Sequence, residues 1–160
     1  MKTLTTCTLA PAFGLLIALG FTPTAQAATV TNHSGTICKN YNDYEATKID
    51  FLARGTQNSA AYATQVICPL TRAANSSAGA TAYVDIYHYG YQTTSCTLYS
   101  YTNLGTLLGS ASQSWSGSGA RELSIYLGSG KSAAWSDYSV LCTIPGSTNG
   151  IVMGVDLYEY

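Results

Sequence analysis

Charge is scarce in this chain: Asp, Glu, Lys and Arg make up 9% of its 160 residues, seven basic against eight acidic. The basic side chains are scattered. Nucleic acid and anionic membrane surfaces recruit proteins through a basic stripe, so neither is an expected partner. Histidine is limited to His33 and His88, and no Gly-x-Ser-x-Gly elbow accompanies them, which leaves little from which to build a nucleophilic triad. No window holds a sustained 3.6-residue apolar period, so helix is excluded as the main element. The cysteines of the body of the chain lie 28 or more residues apart, unlike the short C-x₂₋₄-C knuckles of zinc sites. Asn40, Asn42, Asp43 and Glu45 form an oxygen-rich stretch without the glycine or register of a calcium loop. Gly128-Ser129-Gly130-Lys131-Ser132 resembles the end of a phosphate-cradling loop, but Ile125 stands where the first glycine is required. It reads as a hairpin turn. No metal, cofactor or catalytic residue is assigned.

What is present begins with a leader. Lys2 supplies a positive start, Ala12 to Phe21 form a short apolar run, and Thr22 to Ala27 end in small residues at the positions a signal peptidase reads. Ten apolar residues are about half of a bilayer span, so residues 1–27 are expected to be cleaved, leaving no membrane span and one domain over 28–160. An extracellular or periplasmic destination follows. Cys7 leaves with the leader, and Cys38, Cys68, Cys96 and Cys142 remain, an even number in an oxidising compartment. Of the three possible pairings, Cys38 with Cys68 and Cys96 with Cys142 is favoured.

Gly, Ser, Thr, Asn and Pro recur at short intervals between segments rich in Val, Ile, Tyr and Thr, the composition of short strands and tight turns. Strands are expected near 47–53, 61–68, 81–89, 96–102, 107–115, 121–127, 136–144 and 151–158, with a further one near 28–37. Leu123, Ile125 and Leu127 share one face, as do Ile151, Met153, Val155 and Leu157. The cysteines fall on the same apolar register, which points their sulfurs inward to link two packed layers. About eight antiparallel strands with one wet face each make an all-β sandwich, jelly-roll or immunoglobulin-like, with a closed barrel as the alternative. Turns are read at Arg54–Asn58, Ser116–Gly119, Gly128–Gly130 and Pro145–Gly150, and a small polar loop at Arg72–Ala80.

The chain holds 13 tyrosines. Period-two geometry sends Tyr83, Tyr87, Tyr89 and Tyr91 to the face opposite Val84 and Ile86, and Tyr99 and Tyr101 to the face opposite Cys96 and Leu98. Joined by a turn over Gly90–Ser95, the two strands build one tyrosine-covered sheet face. Such rings stack on sugar rings while their hydroxyls bond sugar hydroxyls. These six tyrosines are the candidate site of a non-enzymatic binding module for carbohydrate or a cell-envelope component. A self-associating surface protein would use the same rings against a second copy. A secreted hydrolase would need a cluster around His88 or the scattered acids, and oligomeric state is open.

At Ile67-Cys68-Pro69-Leu70-Thr71-Arg72, Ser95-Cys96-Thr97-Leu98-Tyr99-Ser100 and Val140-Leu141-Cys142-Thr143-Ile144-Pro145, the chain resembles a group of small secreted bacterial proteins with four cysteines. That resemblance implies export and a disulfide-bearing β-fold, and no activity.

Overall fold

Alternation of apolar and polar side chains builds the long strands. In Ala82, Val84 and Ile86, and again in Cys96 and Leu98, every second residue is fully buried while its neighbours face outward. The computed structural model describes residues 29–73 and 79–160; the expected leader and the middle of the expected polar loop lie outside the described residues. Among the described residues are nine strands: β1 (Thr29–Ser34), β2 (Lys39–Asn40), β3 (Ile49–Leu52), β4 (Gly55–Asn58), β5 (Thr64–Leu70), β6 (Ala80–Tyr101), β7 (Leu107–Leu127), β8 (Asp137–Ile144) and β9 (Gly150–Glu159). Turns of 3₁₀ helix occupy Gly35–Ile37 and Asp43–Lys48.

All pairings are antiparallel. β6 is the axis: β7 lies along one side of it, and β9 then β8 lie along the other. Its first arm, Ala80–His88, joins β9, β1, β4 and β3 in a first layer; its second arm, Gln92–Tyr101, joins β8, β5 and β2 in a second. Both β6 and β7 fold over where the register breaks between His88 and Gln92, opposite Gly117–Gly119. Gly119 takes φ +92° there, a backbone state that side chains other than glycine rarely adopt. The two layers pack face to face over one core that includes Val84, Ile86, Leu98, Leu123, Val140 and Leu157. This is a β-sandwich whose layers share two strands.

Three of the expected turns need correction. The hairpin turn at Gly90–Ser95 does not exist, because Thr94 points inward and is buried and the strand runs on through it to Tyr101. The turn read at Ser116–Gly119 is the fold-over of β7, so the expected strands 107–115 and 121–127 are one strand. Gly55–Asn58, read as a turn, is the fully buried strand β4. Gly55 permits this, since a Cβ there would lie 2.1 Å from the Val152 carbonyl oxygen on β9.

The disulfides join Cys38 to Cys68 and Cys96 to Cys142, the favoured pairing. They do not link the layers. Cys96 and Cys142 are direct cross-strand partners on β6 and β8, and Cys38 precedes β2 where that strand meets β5, so both bonds lie within the second layer. Inward-pointing sulfurs on neighbouring strands meet each other before they meet the opposite sheet.

Candidate functional site

The fold-over divides the six candidate tyrosines among three places. Tyr83 and Tyr87 lie half-buried on the outer face of the first layer; Tyr99 and Tyr101, stacked with ring centroids 6.0 Å apart, lie half-buried on the outer face of the second. Tyr89 and Tyr91 occupy the bend itself and are 47% and 78% exposed. A continuous strand that wraps a corner carries its outward residues around with it. The single tyrosine face of the expected hairpin is therefore replaced by a chain of rings running over one end of the sandwich.

That end gains a third exposed ring, Tyr62, also 47% exposed, from the segment before β5. Tyr89 is braced on both sides: the Tyr87 ring meets it edge-on at 5.0 Å and the Arg54 guanidinium lies 5.2 Å above its centroid. Its backbone N–H donates to the Asn149 carbonyl at 3.0 Å. Two open clefts adjoin the rings. One, of about 420 Å³, runs between Tyr62 and Tyr91, and the other, of about 360 Å³, between Arg54 and Tyr89; Asn149 lines both.

The floor of the site is the turn between β8 and β9. Ser147 and Thr148 adopt φ +58° and +59°, and for non-glycine residues this left-handed state costs roughly 1–2 kcal/mol each. It persists because the surroundings over-determine it. Gln57 Nε2 donates to the Thr148 carbonyl at 2.6 Å, and the Thr148 N–H donates to the Asn58 carbonyl at 2.9 Å. The Ser147 N–H donates to the Ala60 carbonyl. The buried Asn58 side chain donates to the carbonyls of Tyr62 at 2.8 Å and Ile144 at 3.0 Å, and accepts from the Ala60 N–H at 2.8 Å. One asparagine thus fixes the Tyr62 segment against the turn below Tyr91. Alternation alone sends Tyr89 and Tyr91 outward; Tyr62, Arg54 and Asn58 are brought to the bend only by the tertiary fold.

His88 is structural. Its ring is buried, stacked on Trp115 at 4.9 Å. Its Nδ1 lies 2.9 Å from the Gly117 carbonyl, which can only accept, so Nδ1 donates there and Nε2 accepts from the Thr94 hydroxyl at 2.8 Å. Among the described residues neither a serine nor a carboxylate is bonded to it. His33, on β1, accepts from the Thr71 N–H at 3.4 Å. The oxygen-rich stretch at Asn40–Glu45 is drawn into a 3₁₀ turn, with the Asn40 amide donating to the Asn42 carbonyl at 2.8 Å. Among the described residues no group of three or more His, Cys, Asp or Glu is placed to hold a metal ion.

No family model and no curated protein matches the chain. Solved structures do. The CBM36-1 domain of a multidomain xylanase from the hindgut metagenome of Trinervitermes trinervoides superposes with a TM-score of 0.50 at 10% identity, over 82% of this chain and 98% of that one. The xylan-binding module CBM15 gives 0.50 at 10% identity, over 82% and 97%. The shared feature is the β-sandwich fold.

Proposed function

We propose that this chain is an exported, non-enzymatic carbohydrate-binding module, and that Tyr62, Tyr89 and Tyr91 form its binding surface. The observation that carries this reading is three exposed rings set around a strained turn that a buried asparagine holds in place. Rings fixed before binding lose little freedom when a ligand arrives, and a tyrosine offers an apolar face to a pyranose ring with a polar tip for its hydroxyls. Gln57, Asn149 and the turn backbone supply donors and acceptors beside the rings. Among the described residues that line the site the cation is Arg54, already stacked on Tyr89, which favours a neutral polysaccharide over an acidic one. The two solved structures above, named for xylan binding and for a xylanase module, lend the fold a precedent. Export after cleavage near Ala27 belongs to the same reading, and the intact mass of the secreted protein reads it directly.

The test is retention of the mature chain on insoluble xylan, mannan, cellulose and chitin. Tyr89→Ala and Tyr91→Ala are each expected to weaken retention on the preferred polymer. An aromatic contact contributes about 0.5–1.5 kcal/mol beyond its buried area, so the loss per ring is about tenfold. Tyr99→Ala and Tyr101→Ala, on the second layer's outer face, should leave retention unchanged. Equal retention by the Tyr89 and Tyr91 variants would discard the site.

A further inference from the structure

The far end of the sandwich carries a second ring that the tyrosine site does not use. There Ala80 pairs with Glu159, Leu70 with Tyr138 and Tyr101 with Asp137. The loop between β7 and β8 presents Trp135, 75% exposed, one of the chain's two tryptophans. The backbone on both sides of it is fixed from below. Arg72 makes a salt bridge with the buried Glu159, Nε to Oε1 at 2.6 Å, and its Nη1 donates to the carbonyls of Ala133 at 2.8 Å, Ala134 at 2.9 Å and Ser136 at 3.1 Å. The guanidinium also lies 5.2 Å from the centre of the Tyr138 ring. The Ser136 hydroxyl donates to the Ala133 carbonyl at 2.9 Å, closing the loop on itself. A buried ion pair therefore orders a loop whose largest apolar side chain stays in water, although an indole left free to settle would gain by burial. Beside the ring is a cleft of about 440 Å³ lined by Leu70, Thr71, Ala134 and Asp137. Among the described residues, the Thr71 hydroxyl and the exposed Asp137 carboxylate have no side-chain partner.

We infer that Trp135 and this cleft are a second sugar-binding site, which makes the module two-headed. The indole takes the apolar face of a pyranose ring, Asp137 accepts from its hydroxyls, and Thr71 either donates or accepts. A held indole with acceptors at its rim fits a ring that is apolar on one face and hydroxylated at its edge. The inference rests on the carbohydrate-binding reading, since the ligand class is shared. The nine-residue arm of β6 rises about 3.3 Å per residue, which separates the two heads by about 30 Å on opposite ends of the molecule. No single short oligosaccharide reaches both. Two polymer chains, or two stretches of one, would be bridged, and avidity on a polymer would exceed affinity for a fragment.

The experiment titrates the mature, disulfide-intact chain with xylohexaose, mannohexaose, cellohexaose and chitohexaose, read by calorimetry and by tryptophan emission excited beyond the tyrosine band. Trp115 is half-buried in the fold-over, stacked on His88 near the tyrosine site, so the part of an emission change that disappears in Trp135→Ala is the part that reports Trp135. The expected result is two sites per chain for one hexaose, with a blue shift of emission. Trp135→Ala should leave one site, remove the shift and abolish cross-linking of the matching soluble polymer. The Tyr89→Ala, Tyr91→Ala double variant should keep the shift and lose the other site. One site per chain, lost with the tyrosines and unaffected by Trp135→Ala, overturns the second head and leaves the proposed function standing. A site lost only with Trp135 overturns the tyrosine site and leaves this one.

Discussion

Asp85 lies between two other acids on the outer face of the first layer, with Glu122 directly opposite on β7 and, on β9, Asp156 two residues beyond its partner Gly154. Burial pushes its carboxyl above the usual carboxylate range, and the Asp156 charge adds to the shift. A group whose folded pKa is raised holds its proton more readily in the folded state, so stability falls as pH rises through that raised value. At neutral pH the charged Asp85 is a net cost to the fold. Asp85→Asn should therefore raise the melting temperature at pH 7, with a gain that shrinks below the ordinary carboxylate range. Thermal melts at the two pH values check it, and an unchanged or lower melting temperature at pH 7 refutes it. Nothing in the local sequence signals this crowding. The alternation places Asp85 outward, but which acids stand beside it depends on the register of β6 with β7 and β9, and register is set by long-range pairing.

At the scale of elements, the fold-over of β6 and β7 was the least legible feature. Its local signals mark changes of direction: Gly90, the polar run Gln92–Ser95, and the alternating serines and glycines of Ser116–Gly119. In sequence they suggest reversals within a sheet, because a strand that bends around a corner and a strand that ends look alike over five residues. What distinguishes them is His88, which bonds Gly117 and Thr94 and stacks on Trp115, thereby tying one arm of the bend to the other. Removing it leaves a cavity and orphans a carbonyl and a hydroxyl. His88→Ala is expected to destabilise by about 3 kcal/mol, measured by urea unfolding, and a loss under 1 kcal/mol would mean the bend does not depend on it. That four cysteines form two buried disulfides, by contrast, is legible from their even number and apolar register, whereas neither signal selects among the three pairings or reveals that both bonds lie in one layer. The proposed tyrosine site is legible in part: alternation sends two of its rings outward, and topology adds the third.

For the molecule as a whole, the disulfides close loops of 30 and 46 residues, each worth about 3.5–4 kcal/mol in the chain-entropy model. Natural domains hold about 5–15 kcal/mol in all, so Cys96→Ala with Cys142→Ala should lower stability by about 4 kcal/mol, and loss of both bonds should leave the chain largely unfolded. Chemical denaturation of the oxidised, singly bridged and reduced forms checks this, and a reduced chain as stable as the oxidised one refutes it. Where the bonds sit has another consequence. Although both lie in the second layer, the shorter loop encircles β3 and β4 and the longer one encircles all of β7. Both rings of chain are complete in a polypeptide that stops at Ile144. What remains is β9, which inserts between β6 on one flank and β1 and β4 on the other. It is the keystone of the first layer: the cross-linked strands β2, β5, β8 and β6 pair with one another without it, whereas β1 and the β3–β4 pair reach β6 only across it.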